Sequence, residues 1–541
     1  MANYHEMGRK RDLECLLRRD HTLYGAVLLG LDGRLVELQA RATEALSEPI
    51  MWQPATSITG MPRGAVKEAL DRISGAFSKL QIDQPQVKIL INLAPPDMDK
   101  DGTWLDLPIA IIMLQAAGIL PDLPEASESN FVLAGEIGLH ADIRRIHGVL
   151  SLAYAAKPGQ KLIIPQGNEK ECALILAKPG HEGCKIYPVS KLEEVIAYFS
   201  GKESLINALK DGITFQPAIN QAVDFEKIRG QEKAKRAALI SATGGHNLIL
   251  IGPPGEGKSL LASAIPGILP RLSKAEAVEL TRIYSACGEL DQDGVAVTRR
   301  PMRSIHHSAS KQALVGGGKI PKPGEITLAH LGVLFLDEFP EFSSSAIEAL
   351  RQPMEAGEIT ISRVSASITY PCRFTLVAAM NPCPCGYFGT DQCRCKEAEV
   401  LKYQQKISGP ILDRIDLHVE LSRLTTEERF SESTSEGSSK MRVKVERAKQ
   451  RQTERFKDKG IPYNAAIPGG YIKDFCNFSA DGFSHYKTIV DQNRLTTRSV
   501  DRLAKVARTI ADICDSDNVE AEHIDEASSF VIGGMLRTLF V

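Results

Sequence analysis

The 541-residue sequence has no apolar run that approaches the roughly 20 residues of a membrane-spanning helix. Residues 1–20 are charged and lack an apolar centre, so we expect no secretory signal peptide. Hydrophobic residues make up 43% of the chain and charged residues 24%, as in ordinary soluble globular proteins. These features predict a cytoplasmic protein of about three or four domains with no membrane partner.

The sequence also has almost no net charge, and its cysteines include one close cluster. A formal net charge of −2 neither supports nor excludes nucleic-acid binding, so DNA contact requires a local basic segment or a pore formed by oligomerisation. Four of the eleven cysteines lie close together. This distribution favours a reducing compartment with a metal site over a disulfide framework.

The clearest motif is LILIGPPGEGKS, which begins at Leu248. Residues 252–259 fit G-x-x-x-x-G-K-[ST], and their neighbours predict a buried strand before the turn and a helix after it. In such a loop, backbone N–H groups surround phosphate oxygens, Lys258 reaches the β- and γ-phosphates, and the Ser259 hydroxyl binds Mg²⁺. A purely structural glycine turn is the alternative. The predicted ATP contacts here are Gly252, Pro253, Pro254, Gly255, Glu256, Gly257, Lys258, Ser259 and Leu260.

Two acidic residues end another apolar segment, GVLFLDEF at Gly332–Phe339. Ligands bind at the carboxyl ends of parallel strands, so we expect Asp337 and Glu338 beside the phosphates. Asp337 would hold Mg²⁺ through water, and Glu338 would orient or deprotonate the attacking water. An acidic pair is a weak signal alone, but downstream of a phosphate loop it is a strong one.

Further segments resemble those of AAA+ ATPases. The apolar segment FTLVAAMNPC contains Asn381, which matches sensor 1, the side chain that positions the lytic water. The alternative is an asparagine turn before Pro382. The segment FEKIRGQ resembles the adenine-side segment, which implies Ile228, Gly230 and Gln231 as base contacts. An ordinary helix start is the alternative there.

Two arginines extend this resemblance. Arg414, in ISGPILDRIDLHVEL, resembles the arginine finger that a neighbouring subunit inserts to stabilise the transition state, which implies an oligomer. Arg498 begins a segment with helical periodicity and resembles sensor 2, with Arg502 as the second choice. For each of them, a surface arginine without a catalytic role is the alternative.

The clustered cysteines form two C-x-C pairs separated by a short loop. Four thiols at this spacing can close a tetrahedral Zn²⁺ site, with Cys383, Cys385, Cys393 and Cys395 as ligands. The spacing is tighter than the commoner C-x₂-C pairs, so buried free thiols are the main alternative. A redox disulfide is less favoured in a reducing compartment.

Two polar segments flank the acidic strand, at Arg300–Leu331 and Gly357–Phe374. Long loops inside a compact domain are usually functional, and the second segment has a two-strand pattern. Both resemble the pore elements of the magnesium-chelatase/MCM branch of AAA+ proteins, a helix-2 insertion and a hairpin before sensor 1. The resemblance implies a basic, DNA-gripping channel lined by Arg303, His306, His307, Lys311, Lys319, Lys322 and Arg363. The two histidines could instead bind metal or pack in a turn.

Alternating strand and helix patterns predict a compact α/β domain that ends near Ser200, with elements at 65–77, 87–93, 105–120, 131–137, 149–156 and 161–165. The stretches INLAPPDMDKDGTWLDLPIA, GEIGLHADIRRIHGVL and KLIIPQGNEKE resemble the Lon-protease-like domain of the ComM/YifB family of magnesium-chelatase-like ATPases. Active Lon-type peptidases use a Ser–Lys dyad. Trp104 and Leu150 occupy those two positions here, which implies a non-proteolytic domain.

The resemblance to the ComM/YifB family covers about residues 22–535 and implies an α/β architecture with a Lon-like domain, a parallel-sheet P-loop core and a helical lid. The expected domains are 1–21 (extension), 22–200 (Lon-like), 201–222 (linker), 223–423 (ATPase core with pore insertions and the cysteine insert), 424–440 (linker) and 441–541 (lid). The implied function is an ATP- and Mg²⁺-dependent, ring-forming DNA motor. It would be a hexamer and a branch-migration helicase acting in recombination or transformation. Alternatives are a metal-chelatase subunit or protein-remodelling ATPase and, less favoured, an ATP-dependent peptidase.

Overall fold

The computed structural model describes most of the chain, in the ranges 16–96, 98–100, 102–121, 131–174, 180–181, 183–208, 218–220, 222–290, 296–318, 322–362, 367–430 and 436–532. Within these ranges, no helix combines the length and the apolar character that a bilayer crossing requires. Most of the expected N-terminal extension, and parts of both expected linkers, lie outside the described residues.

The described chain divides into two compact units. The first contains the described residues of Met1–Gln216 and of Ala277–Val297. The second contains those of Pro217–Glu276, Thr298–Arg363 and Ser367–Val541. Residues 277–297, which the sequence analysis assigned to the ATPase core, thus belong to the first unit.

The first unit is built on a seven-stranded mixed sheet. Its strands, and a separate pair β6–β7, are β1 (Asp20–Leu29), β2 (Asp32–Ala45), β3 (Thr56–Thr59), β4 (Val87–Ala94), β5 (Phe131–Leu133), β6 (Glu136–Ile137), β7 (Ile143–Arg144), β8 (Lys161–Pro165) and β9 (Lys185–Val189). Its helices are α1 (Trp52–Ala55), α2 (Gly64–Lys79), α3 (Asp106–Ala116), α4 (Val149–Ala155), α5 (Glu169–Ala173) and α6 (Leu192–Phe199).

The sheet order is β3-β4-β2-β1-β5-β8-β9, and apolar residues cover both of its faces. Strand β8 shows why, since Ile163 packs in one apolar cluster while its neighbours Leu162 and Ile164 pack in the other. Alternate side chains of a strand point to opposite faces. The strand expected over 131–137 is interrupted, because Gly135 exchanges backbone hydrogen bonds with Trp104 and Leu107 instead of a neighbouring strand.

The second unit contains a five-stranded sheet and two hairpins. Its strands are β10 (Leu248–Ile251), β11 (Met302–Ile305), β12 (Gly316–Gly317), β13 (Lys322–Pro323), β14 (Val333–Leu336), β15 (Glu358–Ser362), β16 (Ser367–Pro371), β17 (Thr375–Met380) and β18 (Leu417–Glu420). Its helices before β18 are α7 (Glu232–Gly244), α8 (Lys258–Ala264), α9 (Lys274–Cys287, which belongs to the first unit from Ala277), α10 (Lys311–Val315), α11 (Glu325–Leu328), α12 (Ser344–Ala349), α13 (Arg351–Ala356), α14 (Glu397–Gln404) and α15 (Gly409–Leu412). Those after it are α16 (Thr426–Phe430), α17 (Ser438–Arg455), α18 (Ile472–Cys476), α19 (Ala480–Gln492), α20 (Thr497–Ile513) and α21 (Ala521–Val531).

The five-stranded sheet has the order β11-β14-β17-β10-β18, and every neighbouring pair is parallel. The carboxyl ends of all five strands therefore meet at one edge of the sheet. Strand β10 is fully buried and lies inside the sheet between β17 and β18, as its four consecutive apolar residues predict. The expected two-strand pattern over 357–374 is confirmed as the antiparallel hairpin β15–β16.

The C-terminal helices share one apolar core with the sheet. Leu503 and Ile510 of α20 and Val445 of α17 belong to the same buried cluster as Leu248 and Leu250 of β10.

Four arginines of the highly charged helix α17 form hydrogen bonds or ion pairs. Their partners lie in the same unit: Gly267 O for Arg442, Asp515 for Arg447, Asp517 for Arg451 and Asp512 for Arg455.

Candidate functional site

The phosphate-loop motif forms the strand, turn and helix that its sequence predicts, with β10 ending at Ile251 and α8 beginning at Lys258. Gly255 and Gly257 have φ values of +82° and +87°, which favour glycine. Gly252 is needed for space, because a Cβ there would lie 2.9 Å from Leu421 Cβ. These glycines leave a backbone turn at the start of a helix, a geometry that suits anions.

The side chain of Lys258 joins this loop to the end of strand β17. Its Nζ donates to the carbonyls of Gly252 (2.6 Å) and Pro253 (2.8 Å), and to Asn381 Oδ1 at 3.0 Å. Burial lowers the pKa of the Lys258 ammonium from its usual value. The structure therefore brings the predicted lysine and the predicted sensor-1 asparagine together.

The acidic pair lies at the same edge of the sheet. Ser259 Oγ donates to Asp337 Oδ2 at 2.8 Å, so the two predicted magnesium ligands are adjacent. Glu338 has a left-handed backbone with φ +50°, and its N–H donates to Asp337 Oδ1 at 2.9 Å. Backbone strain of this kind concentrates at functional sites.

A further contact at this edge was not expected from the sequence. His307 Nδ1 lies 2.8 Å from Glu338 Oε2. The signal that could have found it is the position of His307, two residues beyond strand β11, which pairs with the strand that leads to Glu338. Among the described residues, neither His306 nor His307 belongs to a group of three or more metal-capable side chains.

The predicted base contacts have different surroundings. Ile228 is buried in the apolar core of the unit. Gln231 Nε2 donates to Ser422 O at 2.7 Å, which ties the segment before α7 to the segment after β18. Glu256 is nearly buried and accepts a hydrogen bond from Leu424 N at 3.3 Å, whereas Leu260 is exposed. Gln231, Glu256 and Leu260 thus offer contacts near the loop, while the Ile228 side chain serves packing.

Arg414 and Arg498 line a separate cavity of about 460 Å³. We call it the arginine cavity; its lining also includes Glu355, Arg373 and Lys505. Arg414 Nη2 donates to Glu355 Oε2 at 2.6 Å, and this hydrogen bond lowers the pKa of the Glu355 carboxyl.

The arginine cavity lies at the sheet edge opposite the phosphate loop. Asn247, directly before β10, donates from its side chain to Arg414 O at 2.8 Å. The phosphate loop follows the other end of the same strand. A four-residue strand separates its two ends by about 13 Å. Within one chain, the structure therefore does not bring Arg414 or Arg498 to Lys258.

Arg502, the second choice for sensor 2, is committed elsewhere. Its guanidinium donates to Leu412 O (3.3 Å), Ile415 O (2.8 Å) and Ser499 Oγ (3.0 Å), and it is nearly buried. Arg502 therefore fixes the turn that carries Arg414.

The four clustered cysteines have the geometry of a metal site. Their sulfur atoms all lie within 4.8 Å of one another, with separations of 3.3, 3.8 and 4.0 Å among Cys383, Cys385 and Cys393. Thiolates bound to one tetrahedral zinc at about 2.3 Å lie about 3.8 Å apart. Backbone N–H groups of Arg394 and Tyr387 lower the pKa of the Cys385 thiol to about 6, whereas burial and the neighbouring thiols raise the pKa of Cys393 and Cys395.

The loop closed by these cysteines borders the phosphate loop. A Cβ on Gly386 would lie 2.7 Å from Pro254 Cδ, so only a glycine allows this approach. Tyr387 and Phe388 line a cavity of about 530 Å³ together with Gly252–Glu256 and the segment after β18. The cysteine cluster thus supports one wall of the phosphate-loop region.

The side chains proposed to line the channel differ in whether they form ion pairs or are exposed. Arg303 forms a two-point ion pair with Glu325, at 2.5 and 2.9 Å. Lys311 and Lys322 are exposed. Lys319 and Arg363 lie outside the described residues.

In the first unit, Trp104 and Leu150 are both buried in the same apolar cluster. The Trp104 indole donates to His147 O at 3.1 Å. These side chains fill the core and offer neither a nucleophile nor a base.

Comparisons with protein families give matches along most of the chain. The family described as "Magnesium chelatase, subunit ChlI" matches residues 224–429, which contain the phosphate loop, the acidic pair and Arg414. The family described as "Subunit ChlI of Mg-chelatase" matches residues 51–168. The family described as "Magnesium chelatase, subunit ChlI C-terminal" matches residues 435–530.

Two individual relatives match over most of the chain and a third over less than a third of it. YifB of Escherichia coli (strain K12) is 42% identical over 484 residues, which cover 88% of this chain and 91% of that protein. The competence protein ComM of Haemophilus influenzae is 37% identical over 515 residues, which cover 94% and 96%. The magnesium-chelatase 38 kDa subunit of Rhodobacter capsulatus is 29% identical over 177 residues, which cover 29% of this chain and 50% of that protein.

Proposed function

The chain belongs to the ComM/YifB family of magnesium-chelatase-like AAA+ ATPases, and on this premise we propose that it is a ring-forming, ATP-driven DNA motor. The specific activity we propose is branch migration of DNA in recombination or natural transformation. The name of one relative, competence protein ComM, supports a role in competence.

The observation that carries the proposal is the separation of the candidate catalytic groups. Lys258 and Asp337 lie at one edge of the parallel sheet, and Arg414 lies beside the opposite edge. Completing the site with Arg414 requires a neighbouring subunit, because one chain cannot bring both groups to the same phosphate. A head-to-tail contact that repeats and closes produces a ring, and we propose a hexamer. Arg498 shares the arginine cavity and is proposed to act in trans with Arg414.

The groups at the phosphate-loop edge fit ATP and Mg²⁺. Ser259 Oγ lies 2.8 Å from Asp337 Oδ2, so a hydroxyl that would bind Mg²⁺ directly has beside it a carboxylate that would bind it through water. Lys258 would exchange its loop carbonyls for β- and γ-phosphate oxygens. Ser259 and Asp337 would hold Mg²⁺, which when bound would supply positive charge against the charge that develops on the phosphates. Glu338 would take a proton from the attacking water, which Asn381 would help to position.

The DNA contacts are proposed for the two polar segments around the acidic strand. Lys311 and Lys322 are exposed on the segment that follows β11, and β15 and β16 form an antiparallel two-stranded hairpin. Exposed cations grip phosphates without reading base sequence, which suits a motor that must act on any DNA. Arg303 contributes less to this surface, because Glu325 neutralises it.

Zinc is the cofactor we propose for the four cysteines. The sulfur separations match a tetrahedral site, and Gln404 anchors the start of the cluster by donating to Pro382 O at 2.7 Å. Bound zinc would hold the loop that borders the phosphate loop, so its role is structural.

The first unit is proposed to be a non-proteolytic Lon-like domain that serves assembly or substrate docking. Trp104 and Leu150 argue against peptidase chemistry, because both are buried apolar side chains. A chelatase or protein-remodelling role is the competing proposal, supported by the similarity to the 38 kDa subunit over 29% of the chain.

A branch-migration assay tests the proposal. The full chain, ATP and a synthetic four-way DNA junction with homologous arms are incubated, and conversion to two-arm products is measured over time. We expect ATP-dependent conversion and faster ATP hydrolysis with DNA than without it. Lys258→Ala should abolish both by removing the phosphate contact.

A junction with non-homologous arms provides the matched control, because it binds the protein but cannot branch-migrate. Absence of strand exchange together with absence of DNA-stimulated hydrolysis in the wild type would contradict the DNA motor. ATP hydrolysis that responds to a protein partner instead would favour the remodelling role.

A further inference from the structure

A fully buried histidine lies just behind the arginine cavity. His246 is two residues before strand β10, and both of its ring nitrogens have hydrogen-bond partners. Its Nδ1 lies 2.9 Å from Asp416 Oδ2, and its Nε2 lies 2.8 Å from Thr509 Oγ1. Asp416 follows Arg414 by two residues, and Thr509 belongs to α20, the helix that carries Arg498. The ring therefore connects the two segments that supply these arginines.

The carboxylate of Asp416 determines which ring nitrogen donates. Burial alone would raise the pKa of the Asp416 carboxyl, but the hydrogen bond to His246 lowers the pKa below its usual value overall. An ionised carboxylate accepts hydrogen bonds and donates none, so His246 Nδ1 is the donor of this pair. His246 Nε2 remains for the Thr509 hydroxyl. One ring thus makes one hydrogen bond to each segment.

The contact between His246 and Thr509 needs a glycine at position 244. A Cβ on Gly244 would lie 2.4 Å from His246 Cδ2 and 2.5 Å from Thr509 Oγ1. Gly244 is the last residue of helix α7, and a helical backbone does not itself require glycine. The space that the absent side chain leaves is therefore what allows the histidine and the threonine to meet.

A second contact joins the same two segments. Arg502 of α20 donates to two backbone carbonyls in the turn that carries Arg414. Arg502 and Thr509 are seven residues apart, so they lie on one face of α20 and about 10 Å apart along its axis. One contact alone would let the helix pivot about it, whereas two contacts also fix its direction. Arg498, one turn before Arg502 on the same helix, is fixed with them.

We propose that His246 is a positioning residue that, through Asp416 and Thr509, holds Arg414 and Arg498 in one fixed arrangement beside the arginine cavity. The inference rests on the proposed action of the two arginines between subunits, and it names the buried group on which their relative position depends. The phosphate loop follows the other end of β10, so the affinity for ATP should not depend on His246.

Steady-state ATPase kinetics of the full chain test this role from both ends of the contact. Thr509→Val removes the hydroxyl at nearly constant volume, and His246→Asn keeps a donor for Asp416 but is too short to reach Thr509. For each variant we expect kcat to fall about five-fold or more, while the KM for ATP stays within about two-fold. If one variant does not fold, the other tests the contact alone.

The double variant shows whether the two changes remove the same contact. Thr509 also accepts a hydrogen bond from Asn464, at 3.0 Å, so the comparison is with Thr509→Val. We expect kcat of the double variant to fall no further than that of Thr509→Val alone, because residues that act through one contact are not additive. An unchanged kcat in the single variants, or a further loss in the double variant equal to that of His246→Asn, would overturn the proposal.

Thr243→Val is the matched control. Thr243 is also a buried helical threonine, and its hydroxyl donates to Leu239 O within its own helix at 2.7 Å. The control should keep the wild-type kcat. A loss in Thr243→Val as large as that in Thr509→Val would show that any buried threonine has this effect, which also overturns the proposal.

Backbone hydrogen exchange gives a readout that needs no ATPase activity. In Thr509→Val and His246→Asn, we expect peptides that span residues 411–421 to exchange about five-fold faster than in the wild type or in Thr243→Val, because the turn loses one of its two attachments. Equal exchange in all four proteins would overturn the link between α20 and the turn. If Arg414→Ala keeps the wild-type kcat, the proposed role of Arg414 fails, and the exchange rates still decide whether His246 fixes the turn.

Discussion

At the scale of single residues, arginines with similar sequence surroundings have different environments. Arg447 is 67% exposed and pairs with Asp515 on the surface. Arg502 is nearly buried, and its guanidinium donates hydrogen bonds to two backbone carbonyls and a hydroxyl. Lysine cannot replace the planar, multi-donor guanidinium at such a site. The consequence of an arginine-to-lysine change should therefore depend strongly on position.

We expect Arg502→Lys to lower stability by about 1–3 kcal/mol, because buried carbonyls lose their donors. The matched change Arg447→Lys should cost less than about 1 kcal/mol. Thermal unfolding of the full chain provides the measurement, with a midpoint lowered by a few degrees for Arg502→Lys only. Equal midpoints for the two variants would contradict the bracing role of Arg502.

At the scale of structural elements, the loop between Cys383 and Cys395 borders the phosphate loop. Gly386 approaches Pro254 too closely for any other residue, and Tyr387 lines a cavity with the phosphate loop. A ligand that holds the four sulfur atoms together would therefore also stabilise the loop that lines this cavity.

The full chain should contain about one zinc per molecule, and Cys393→Ser should lose most of it. Cys514→Ser, at an exposed cysteine outside the cluster, should retain it. Metal content by mass spectrometry and ATP affinity by fluorescence titration give the two readouts. We expect several-fold weaker ATP binding for Cys393→Ser, because the loop loses its support. Equal zinc content in both variants would rule out the cluster as the site.

At the scale of the whole molecule, the sheet separates the two groups of residues that we propose for the catalytic site. Lys258→Ala damages the phosphate-loop side of a subunit, and Arg414→Ala damages the arginine cavity. A mixed ring contains both variants. Where an Arg414→Ala subunit presents its intact phosphate loop to the intact Arg414 of a Lys258→Ala neighbour, the proposed site between the two subunits would be complete.

Lys258→Ala and Arg414→Ala should each be nearly inactive alone. An equal mixture of the two should recover about a quarter of wild-type ATPase activity, because random assembly completes about one intersubunit site in four. A mixture of Lys258→Ala and Glu338→Gln, which damage the same side, should recover none. ATPase assays after subunit exchange test this expectation. A mixture of Lys258→Ala and Arg414→Ala without recovery would show that Arg414 does not act between subunits.

Local pattern determined much of this protein. Apolar runs and glycine spacing act through residues that are close together in the sequence. The strand–turn–helix at 248–264, helix α2 and strand β8 therefore form where the sequence predicts them. The motif residues Lys258, Ser259, Asp337 and Asn381 follow the ends of parallel strands, and such ends meet at one edge of a sheet. The clustering of these residues was therefore predictable from the sequence.

Tertiary structure alone decided the rest, because it depends on strand register and on partners far along the chain. The pairing of β11 with β14 brings His307 to Glu338, and Glu325 neutralises Arg303. Asn247, directly before β10, contacts Arg414, so Arg414 lies beside the end of the strand away from the phosphate loop. The sequence by itself determined which polar groups meet at one edge of the sheet, because they follow the ends of parallel strands. The three-dimensional packing decided that Arg414 lies beside the opposite edge, because that position depends on a contact between residues far apart in the chain.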